Sequence, residues 1–382
     1  NLSCKNLNRN YLHGTELQDR QFSNLLHEAK NTQFGLDHDF KSIKNHADYK
    51  ARIPVRDYED FIPYINQIRE GKENILWKGL PKYFAKTSGT TSGTKYIPLT
   101  KDSIKNHLNS ARNLLLHYTV KRPKTQIFNG DMFFLSGSPE LSFSNNISVG
   151  RLSGIVNHEV PYWFKFNKLP DDETNRIQPW ERKIEQLVSK LSTRDVRVFS
   201  GIPPWVQMFC EHLLDYTGKS CVLDVFPNLS LYIHGGVNYA PYRQKIQQLI
   251  GGPIDLIETY PASEGFIAYQ TDCEEDNMQL VVNDGIFYEF IEKDKIHDPE
   301  AERLSLADIS LNRDYAIVLS TNAGLWSYLI GDLVRFVSKN PHRIKFSGRI
   351  SQFISAFGEH VISSEIDQAI SYAKKKHRFD VV

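Results

Sequence analysis

The sequence has almost no net charge, because 46 Lys and Arg residues are balanced by 45 Asp and Glu, which leaves +1 at pH 7. A protein that binds a polyanion or an anionic membrane through its overall field needs an excess of positive charge. We therefore expect neither a general nucleic-acid binder nor a membrane-surface protein. No apolar run approaches the roughly 20 residues that a membrane-spanning helix needs. The polar N-terminal stretch also lacks the apolar centre of a signal peptide.

Cysteine is scarce as well. The 382 residues contain four cysteines, which lie far apart and form neither a CxxC pair nor a cluster with histidine: Cys4, Cys210, Cys221 and Cys273. This spacing argues against a thiolate metal site and against a disulfide framework. Together with the missing signal peptide, it predicts a reduced, cytoplasmic protein. The oligomeric state stays open.

The hydrophobic pattern predicts an α/β fold. The first 85 residues read as helical, with an apolar stripe at Phe22, Leu25, Leu26 and Ala29 and a short helix from about residue 58 to 70. Further helices are predicted in DSIKNHLNSARNLLLHYTV, with its N-cap at Asp102 or Ser103, in WERKIEQLVSKLS, in IPPWVQMFCEHLLDYTG, around 242–250 and in SSEIDQAISYAKKKH. Strands are predicted in DMFFLSG, DVRVFSG, LSLYIHGG, PIDLIETY and FIAYQTD, and the chain is mostly β from Ile286 onward. Such alternation is typical of α/β domains with parallel or mixed sheets.

A loop rich in Thr, Ser and Gly spans Thr87–Lys95, with the sequence TSGTTSGTK. Glycines let backbone N–H groups turn inward to form an anion-binding nest, the hydroxyls add hydrogen-bond donors, and Lys95 adds a positive charge for a phosphate. The loop is not a Walker A motif, because only three residues separate Gly89 from Gly93 and Thr94 precedes the lysine. The alternative is a flexible Ser/Gly linker.

Two further segments stand at the ends of predicted strands, where α/β sheets carry their ligands. In ETYPASEG, Tyr260 can stack on a base and Glu264 can hold a magnesium ion through its hard oxygens. In the preceding HGG segment, Gly235 and Gly236 would allow a flat ring to approach the backbone. Each segment could equally be a structural turn.

Two charged positions follow in the β-rich part. Asp332, in SYLIGDLVRF, could accept hydrogen bonds from two ribose hydroxyls, or Gly331-Asp332 could be a plain hairpin turn. Arg349, in the SGR segment, could serve a phosphate or a hydroxyl, or it could be a surface arginine at the end of a strand.

The order of these motifs resembles the acyl-adenylate-forming superfamily, which includes acyl-CoA ligases and firefly luciferase. The sequence is more closely similar to the auxin-responsive acyl-acid amido synthetases, the plant jasmonate- and auxin-conjugating enzymes with their bacterial relatives. The segments that carry this resemblance are IPVRDYEDFIPYINQIREGKENIL, TSGTTSGTKYIPLT, SGIPPWVQMF, FPNLSLYIHGG, TYPASEGFIA, FYEFIE and LSTNAGLWSYLIGDLVRF. They extend over nearly the whole chain.

The resemblance implies an ATP-dependent ligase that activates a carboxylic acid as acyl-AMP and then forms an amide with an amine, expected to be an amino acid. It implies a large adenylate-forming domain at 1–348 and, at 349–382, the beginning of a small mobile C-terminal domain. ATP and Mg²⁺ would be required. The roles it implies are catalysis by Lys95, Glu264 and Arg349, magnesium binding by Glu264, phosphate binding by Ser88, Thr90, Thr91 and Ser263, adenine contacts by Gly235, Gly236 and Tyr260, and ribose binding by Asp332.

The acyl pocket is expected between the helix at 106–118 and the SGIPPW segment, with His117, Tyr118 and Trp205 as lining residues or, alternatively, plain core. The sequence departs from the family pattern where Ile350 and Ser351 follow Arg349, because plant relatives tend to carry a lysine at the first position and the wider superfamily an aspartate at the second. Two other functions therefore stay open. One is thioester formation by an acyl-CoA ligase, and the other is nucleotide binding without catalysis.

Overall fold

The computed structural model describes residues 2–88, 94–160, 167–298, 300–350, 354–356 and 359–361. The α-helices in these ranges are α1 (Leu2–Leu12), α2 (Gly14–Ala29), α3 (Gln33–Asp37), α4 (His46–Arg52), α5 (Ile62–Arg69), α6 (Lys101–Lys121), α7 (Leu152–Glu159), α8 (Asp172–Asn175), α9 (Trp180–Leu191), α10 (Pro203–Thr217), α11 (Val222–Val225) and α12 (Arg243–Ile250). Across these ranges, no helix combines the length and apolar character needed to cross a membrane.

The strands in the same ranges are β1 (Tyr83–Ser88), β2 (Thr94–Leu99), β3 (Asp131–Leu135), β4 (Ser142–Ser144), β5 (Ile147–Gly150), β6 (Lys168–Leu169), β7 (Val196–Gly201), β8 (Leu231–Gly235), β9 (Asp255–Ala262), β10 (Gly265–Tyr269), β11 (Met278–Leu280), β12 (Ile286–Glu292), β13 (Asp314–Thr321), β14 (Tyr328–Lys339), β15 (His342–Arg349), β16 (Ile354–Ala356) and β17 (Glu359–Val361). The predicted mixed α/β class is confirmed.

The main sheet has eleven strands in the order β12-β13-β14-β15-β11-β10-β9-β8-β7-β3-β6. One half of the sheet is parallel and has the order β6-β3-β7-β8-β9. In the other half, every pairing from β9 to β12 is antiparallel. Strand β9 therefore belongs to both halves of the sheet. A second sheet of four strands, in the order β2-β1-β5-β4, carries the segments on either side of the Thr/Ser/Gly loop.

Helices α9, α10 and α12 cover the parallel half with one apolar core. Ile184, Leu187 and Leu191 of α9 are fully or almost fully buried in this core, as their spacing of three and four residues predicts. Helix α10 begins with Pro203, whose missing N–H costs nothing in a first turn. It ends at Gly218, whose φ of 65° suits glycine. The start and the end of α10 match the prediction.

The N-terminal helices pack against the antiparallel half. The predicted stripe Phe22, Leu25, Leu26 and Ala29 is buried on α2, and this helix packs against β12. The ring of Phe22 lies 4.8 Å from the ring of Phe287 on β12. Aromatic pairs of this kind add specific contacts to the burial of apolar area.

One sequence prediction about local structure was wrong, and one of two open alternatives is excluded. Helix α6 is capped by Thr100 and not by Asp102 or Ser103, since the Thr100 hydroxyl accepts from Ser103 N and the Ser103 hydroxyl accepts from Thr100 N in a reciprocal capping box. Gly331 and Asp332 do not connect two strands but lie inside β14, where Gly331 has a φ of 90°. The predicted helix in SSEIDQAISYAKKKH lies outside the described residues, and the domain boundary at 348/349 stays a prediction.

Candidate active site

Strands β8 and β9 end side by side, and their ends bring two of the predicted segments together. Gly235 pairs with Thr259, and a Cβ atom added to Gly235 would lie 2.2 Å from the Thr259 carbonyl oxygen. The Thr259 hydroxyl donates to the carbonyl of His234 at 2.9 Å. Gly236 has a φ of 80°, which L side chains rarely adopt. Glycine is therefore required where the HGG segment passes beside Thr259, the residue before Tyr260.

The ASEG segment is a tight connection between β9 and β10. Ala262 pairs with Gly265, so Ser263 and Glu264 are the two residues of the hairpin loop. Burial raises the pKa of the Glu264 carboxyl group to about 7, and the negative charge of Asp332 adds to this rise. The positive charges of Lys95 and Arg349 act in the opposite direction without restoring the ordinary value. The protonated form of Glu264 is thus favoured more than in an exposed carboxyl group.

Asp332 joins Tyr260 and Arg349. The Tyr260 hydroxyl donates to Asp332 Oδ2 at 2.5 Å, and Arg349 Nε lies 2.9 Å from Asp332 Oδ1. Asp332 is 3% exposed, and burial raises its pKa although the Arg349 charge opposes the rise. Burial and the neighbouring Asp332 charge also raise the pKa of Tyr260 well above its usual value. The ring of Phe346 stands edge-on to Tyr260 at 5.8 Å.

Lys95 reaches the same cluster from the four-stranded sheet. It lies on β2 directly opposite Thr87 of β1, its Nζ lies 5.4 Å from the centre of the Tyr58 ring, and its charge acts on Glu264. Ser88 is the last residue of β1. Thr90 and Thr91 lie outside the described residues. The two sheets therefore meet where the Thr/Ser/Gly loop begins.

Three aromatic residues that sequence reasoning did not assign stand around this cluster. The Tyr58 hydroxyl oxygen accepts a hydrogen bond from the backbone N–H of Tyr96 at 2.7 Å, so Tyr58 supports the strand that carries Lys95. Tyr328 is 1% exposed, and the charge of Glu264 contributes to its raised pKa after burial. Phe346 is 39% exposed beside Tyr260. The alternation of RIKFSG could have indicated Phe346, since it places this residue on one face of a strand that leads to Arg349.

His117 and Tyr118 are not brought to the cluster. The Tyr118 hydroxyl donates to Asp255 Oδ2 at 3.1 Å. Asp255 is the first residue of β9, and Tyr260 lies five residues, or about 16 Å, further along the strand. His117 is 3% exposed and bonds to Asn8 and Tyr269. The Tyr118 side chain therefore contacts the opposite end of β9, whereas His117 lies in the core against Asn8 and Tyr269, and Tyr269 pairs with Thr259. Their expected place in an acyl pocket stays a prediction.

The first half of α6 lies nearer to the cluster than its second half. His107 is 4% exposed, its ring is 6.4 Å from Phe266, and Phe266 follows Glu264 by two residues. Burial lowers the pKa of His107 to about 4, and among the residues that the structure describes its Nε2 finds no hydrogen-bond partner. His107 is thus a neutral, buried ring with one polar atom unused. Sequence reasoning missed it because nothing in the sequence tells which turn of a long helix faces a strand end.

Trp205 lies at the carboxyl edge of the parallel strands. It stands in the first turn of α10, which follows β7 directly, and its ring packs on Trp180 at 4.7 Å. Strands β7, β8 and β9 are parallel neighbours, so their carboxyl ends share one edge of the sheet. Trp205 therefore stays a candidate for contact with an acyl group.

The donor set fits a nucleotide and a hard cation. Two carboxyl groups, Glu264 and Asp332, both have raised pKa values although Lys95 and Arg349 are close. A divalent cation would favour ionised carboxylates, and magnesium prefers such oxygen ligands. The tight approach at Gly235 places its backbone directly against Thr259, the residue before Tyr260. In the described residues there is no group of three or more His, Cys, Asp or Glu side chains, so a cation here would need oxygens from its nucleotide.

Solved structures of similar fold include an acyl acid amido synthetase, GH3.15, with a TM-score of 0.81 and 16% identity over 98% of this chain and 75% of that chain. A 2-hydroxyisobutyryl-CoA ligase in its postadenylation state has a TM-score of 0.61 and 14% identity over 96% of this chain and 72% of the other. At these identities the similarity shows the fold, which is that of adenylate-forming enzymes.

Curated relatives include a jasmonoyl–L-amino acid synthetase, JAR4, of Nicotiana attenuata, which is 20% identical over 84% of this chain and 66% of its own length. An indole-3-acetic acid-amido synthetase, GH3.3, of Arabidopsis thaliana is 19% identical over 94% of this chain and 71% of its own length. The chain thus spans about two thirds of the length of these relatives. The activity expected from the sequence is the one that their names state.

Two family models match the chain. The model of the GH3 family N-terminal domain matches residues 4–202, and the model of the GH3 family central domain matches residues 279–349. Together they cover well over half of the chain, and the resemblance to the acyl-acid amido synthetases is confirmed. The chain belongs to the GH3 family.

Proposed function

We propose that the chain is an ATP-dependent acyl-acid amido synthetase, which activates a carboxylic acid as acyl-AMP and joins it to an amine. The observation that carries the proposal is the charged cluster of Lys95, Glu264, Asp332 and Arg349. It lies around Tyr260, where the parallel half of the sheet ends. The curated relatives support the same activity by their names.

The chemistry needs two displacements. A carboxylate is a poor electrophile, so its oxygen first attacks the α-phosphorus of ATP, and pyrophosphate leaves with the electrons of the broken P–O bond. The amine nitrogen then attacks the acyl carbonyl, AMP leaves, and the nitrogen loses a proton to give the amide. Both steps demand that reacting groups be held in line and that negative charge on the leaving groups be offset.

Each residue of the cluster would have a role that depends on its position. Tyr260, Gly235 and Gly236 would contact the adenine, and Asp332 would accept hydrogen bonds from the ribose hydroxyls in place of the Tyr260 hydroxyl. Phosphate oxygens would be bound by the hydroxyls of Ser88, Thr90, Thr91 and Ser263. Lys95 would act on the phosphates beside these hydroxyls. Glu264 would hold magnesium, which when bound offsets the charge that builds up on pyrophosphate.

Arg349 would act at the junction between the adenylate-forming domain, 1–348, and the small mobile domain that begins in 349–382. Its side chain is 56% exposed while its partner Asp332 is almost fully buried. Release of Arg349 would leave the buried Asp332 carboxylate without its charge partner, so it would become favourable only when another partner, such as the ribose hydroxyls, replaces Arg349. Such a contact suits a residue that changes partners between the two half-reactions.

The acyl group would lie against the first turns of α6 and α10, next to His107 and Trp205. Both positions present apolar or neutral rings close to the strand end. The relatives named above act on jasmonic or indole-3-acetic acid and on amino acids, so we propose a small apolar acid and an amino-acid acceptor here. The four cysteines are all free, which supports a cytoplasmic site of action.

The test is ATP–pyrophosphate exchange with a panel of carboxylic acids. At least one acid should stimulate exchange, and Glu264→Gln should lower the stimulated rate by about a hundredfold, as loss of one group that stabilises charge commonly does. Glu185→Gln is the matched control, because Glu185 is exposed on α9. Exchange that no acid stimulates, or that Glu264→Gln leaves intact, would refute the proposal and favour nucleotide binding without catalysis.

The second candidate function is thioester formation, which the fold similarity to a CoA ligase favours. The first half-reaction is the same in both cases, so only the acceptor separates them. Amino acids and CoA offered together, with the product identified by mass, decide between an amide and a thioester.

A further inference from the structure

A cleft of about 680 Å³ opens where β5 ends beside β1. Its floor is formed by Val149 and Gly150 at the end of β5, and one wall is the segment 138–143 that leads into β4. Gly150 pairs with Ala85 of the parallel strand β1, so the next residue of β1, Lys86, lines the cleft. The cleft therefore continues the edge at which β1 runs into the Thr/Ser/Gly loop.

The cleft concentrates positive charge. Lys86, Arg151 and Arg176 line it and are all exposed, while Glu140 is the acidic residue among the lining side chains. Within the described ranges none of these three cations takes part in an ion pair, whereas other arginines of the same ranges do, as Arg194 does with Asp131 at 2.8 Å. Three unpaired cations in one concavity attract an anion more strongly than scattered surface charges do.

A buried lysine, Lys183, connects two segments that line the cleft. Lys183 of α9 is 2% exposed, and its Nζ donates to the Ser136 carbonyl at 2.9 Å and to Asn175 Oδ1 at 2.7 Å. Ser136 precedes the wall segment 138–143, and Asn175 precedes Arg176. One buried ammonium group thus ties both walls together and fixes the spacing between them. A preorganised spacing of charges is what a bound anion requires.

Apolar surface accompanies the charges. Phe143 is 77% exposed, and Pro139 and Leu141 line the same wall. This exposed ring adds apolar surface beside the cations, and a bound ligand would cover it. A ligand with one oxyanion group and a compact body would fit both features.

We propose that this cleft binds a small oxyanion, a carboxylate or a phosphate, that belongs to a reactant of the synthetase. Resting on the proposed function, two reactants have this chemistry, namely the carboxylate of an amino-acid acceptor and the released pyrophosphate. Lys86 stands two residues before the end of β1, about 7 Å along the strand, so the cleft lies along the strand that leads into the Thr/Ser/Gly loop. Arginine forks suit both kinds of oxyanion.

The test measures binding of pyrophosphate and, separately, of a set of amino acids to the whole chain by titration calorimetry, without ATP or acid. The variants are the double substitution Arg151→Gln with Arg176→Gln, and Lys86→Gln alone as a second, milder change. Arg20→Gln on α2 is the matched control, because Arg20 is exposed on a helix that packs against β12. Circular dichroism verifies that each variant is folded.

We expect at least one of the two oxyanions to bind to the wild type. Its Kd should rise by about tenfold or more in the double variant and by a smaller factor in Lys86→Gln. In Arg20→Gln the Kd should not change. The oxyanion that shows this pattern identifies the reactant. The inference is overturned if neither oxyanion binds, if the control loses as much affinity, or if pyrophosphate keeps its affinity in the double variant and amino acids do not bind. That last pattern places pyrophosphate at the Thr/Ser/Gly loop instead.

Because binding is measured without turnover, this inference and the proposed function fail separately. A chain that binds an oxyanion in the cleft but catalyses no exchange refutes the synthetase and keeps the site. A chain that makes amides with unchanged acceptor KM and unchanged oxyanion affinity in the double variant refutes the site and keeps the synthetase.

Discussion

Lys183 is a buried ammonium group whose neighbours supply hydrogen bonds but no charge. It donates to the Ser136 carbonyl and to Asn175 Oδ1, and its Nζ lies 5.4 Å from the centre of the Trp180 ring. Burial lowers its pKa to about 8. Keeping this lysine charged therefore costs folding free energy at neutral pH, and the substitution Lys183→Met removes that cost together with the brace.

The magnitude follows from the two pKa values. An unfolded lysine titrates near its ordinary value of about 10.4, so between about pH 8 and that value the unfolded chain binds more protons than the folded chain. Stability contributed by this group therefore rises as the pH increases. From about pH 7 to about pH 9.5 the rise is about 2 kcal/mol, because each unit of difference in pKa is worth about 1.4 kcal/mol and part of the titration lies above this window.

The assay is denaturant unfolding of the wild type and of Lys183→Met at several pH values. The difference in unfolding free energy between the two should move in favour of the wild type by about 2 kcal/mol across that window, because every other titrating group is common to both proteins. Arg182→Met, one residue away and exposed, is the control and should leave the difference constant. A difference that does not change with pH would refute the argument that Lys183 is charged and desolvated in the fold.

Three further predictions concern the proposed active site, and one concerns a helix start. Exchange activity should rise through about pH 7 as Glu264 ionises, and added magnesium should move this midpoint to lower pH because the cation competes with the proton. Asp332→Asn should weaken AMP binding in calorimetry and also lower the same midpoint, since the Asp332 charge raises the Glu264 pKa. Gly235→Ala should cost about 1–3 kcal/mol in unfolding free energy, because the added Cβ meets the Thr259 carbonyl, whereas Gly137→Ala, with ordinary contacts, should not. Thr100→Ala should cost about 1 kcal/mol through loss of the cap of α6, and a value near zero would contradict the capping box.

The sequence predicted well those features that are determined locally. Helix α10 was correct at both ends because Pro203 and Gly218 impose backbone conformations that hardly depend on tertiary contacts. The strands that contain Gly235 and Tyr260 were correct because short apolar runs next to glycine are typical of buried parallel strands, although β9 continues past Tyr260 to Ala262. The roles of the residues around Tyr260 followed from the family resemblance and stay predictions.

Features set by distant parts of the chain could not be predicted. Helix α6 has 21 residues and is about 30 Å long, so only part of it can lie near a strand end. The sequence shows its apolar face but not its axial position against β9 and β10. His117 and Tyr118 were therefore chosen where His107 is the nearer residue. A turn at Gly331-Asp332 was one open alternative because glycine is common in turns, yet β14 continues through both residues.

The electrostatics of the cluster argue for a cationic partner more strongly than any single residue does. Lys95 comes from the four-stranded sheet, Glu264 from the β9–β10 connection, Asp332 from β14 and Arg349 from β15, so the fold collects four charges from separate segments. With two cations against two carboxyl groups, ordinary pairing would lower both carboxyl pKa values, yet burial keeps both raised. In the folded chain, ionisation of the Glu264 carboxyl group is therefore favoured only when further positive charge is bound beside it. A magnesium–nucleotide complex supplies that charge next to Glu264, so its binding should release protons near neutral pH, and calorimetry in buffers of different ionisation enthalpy measures this release directly. Binding without proton release near pH 7 would separate Glu264 from the metal.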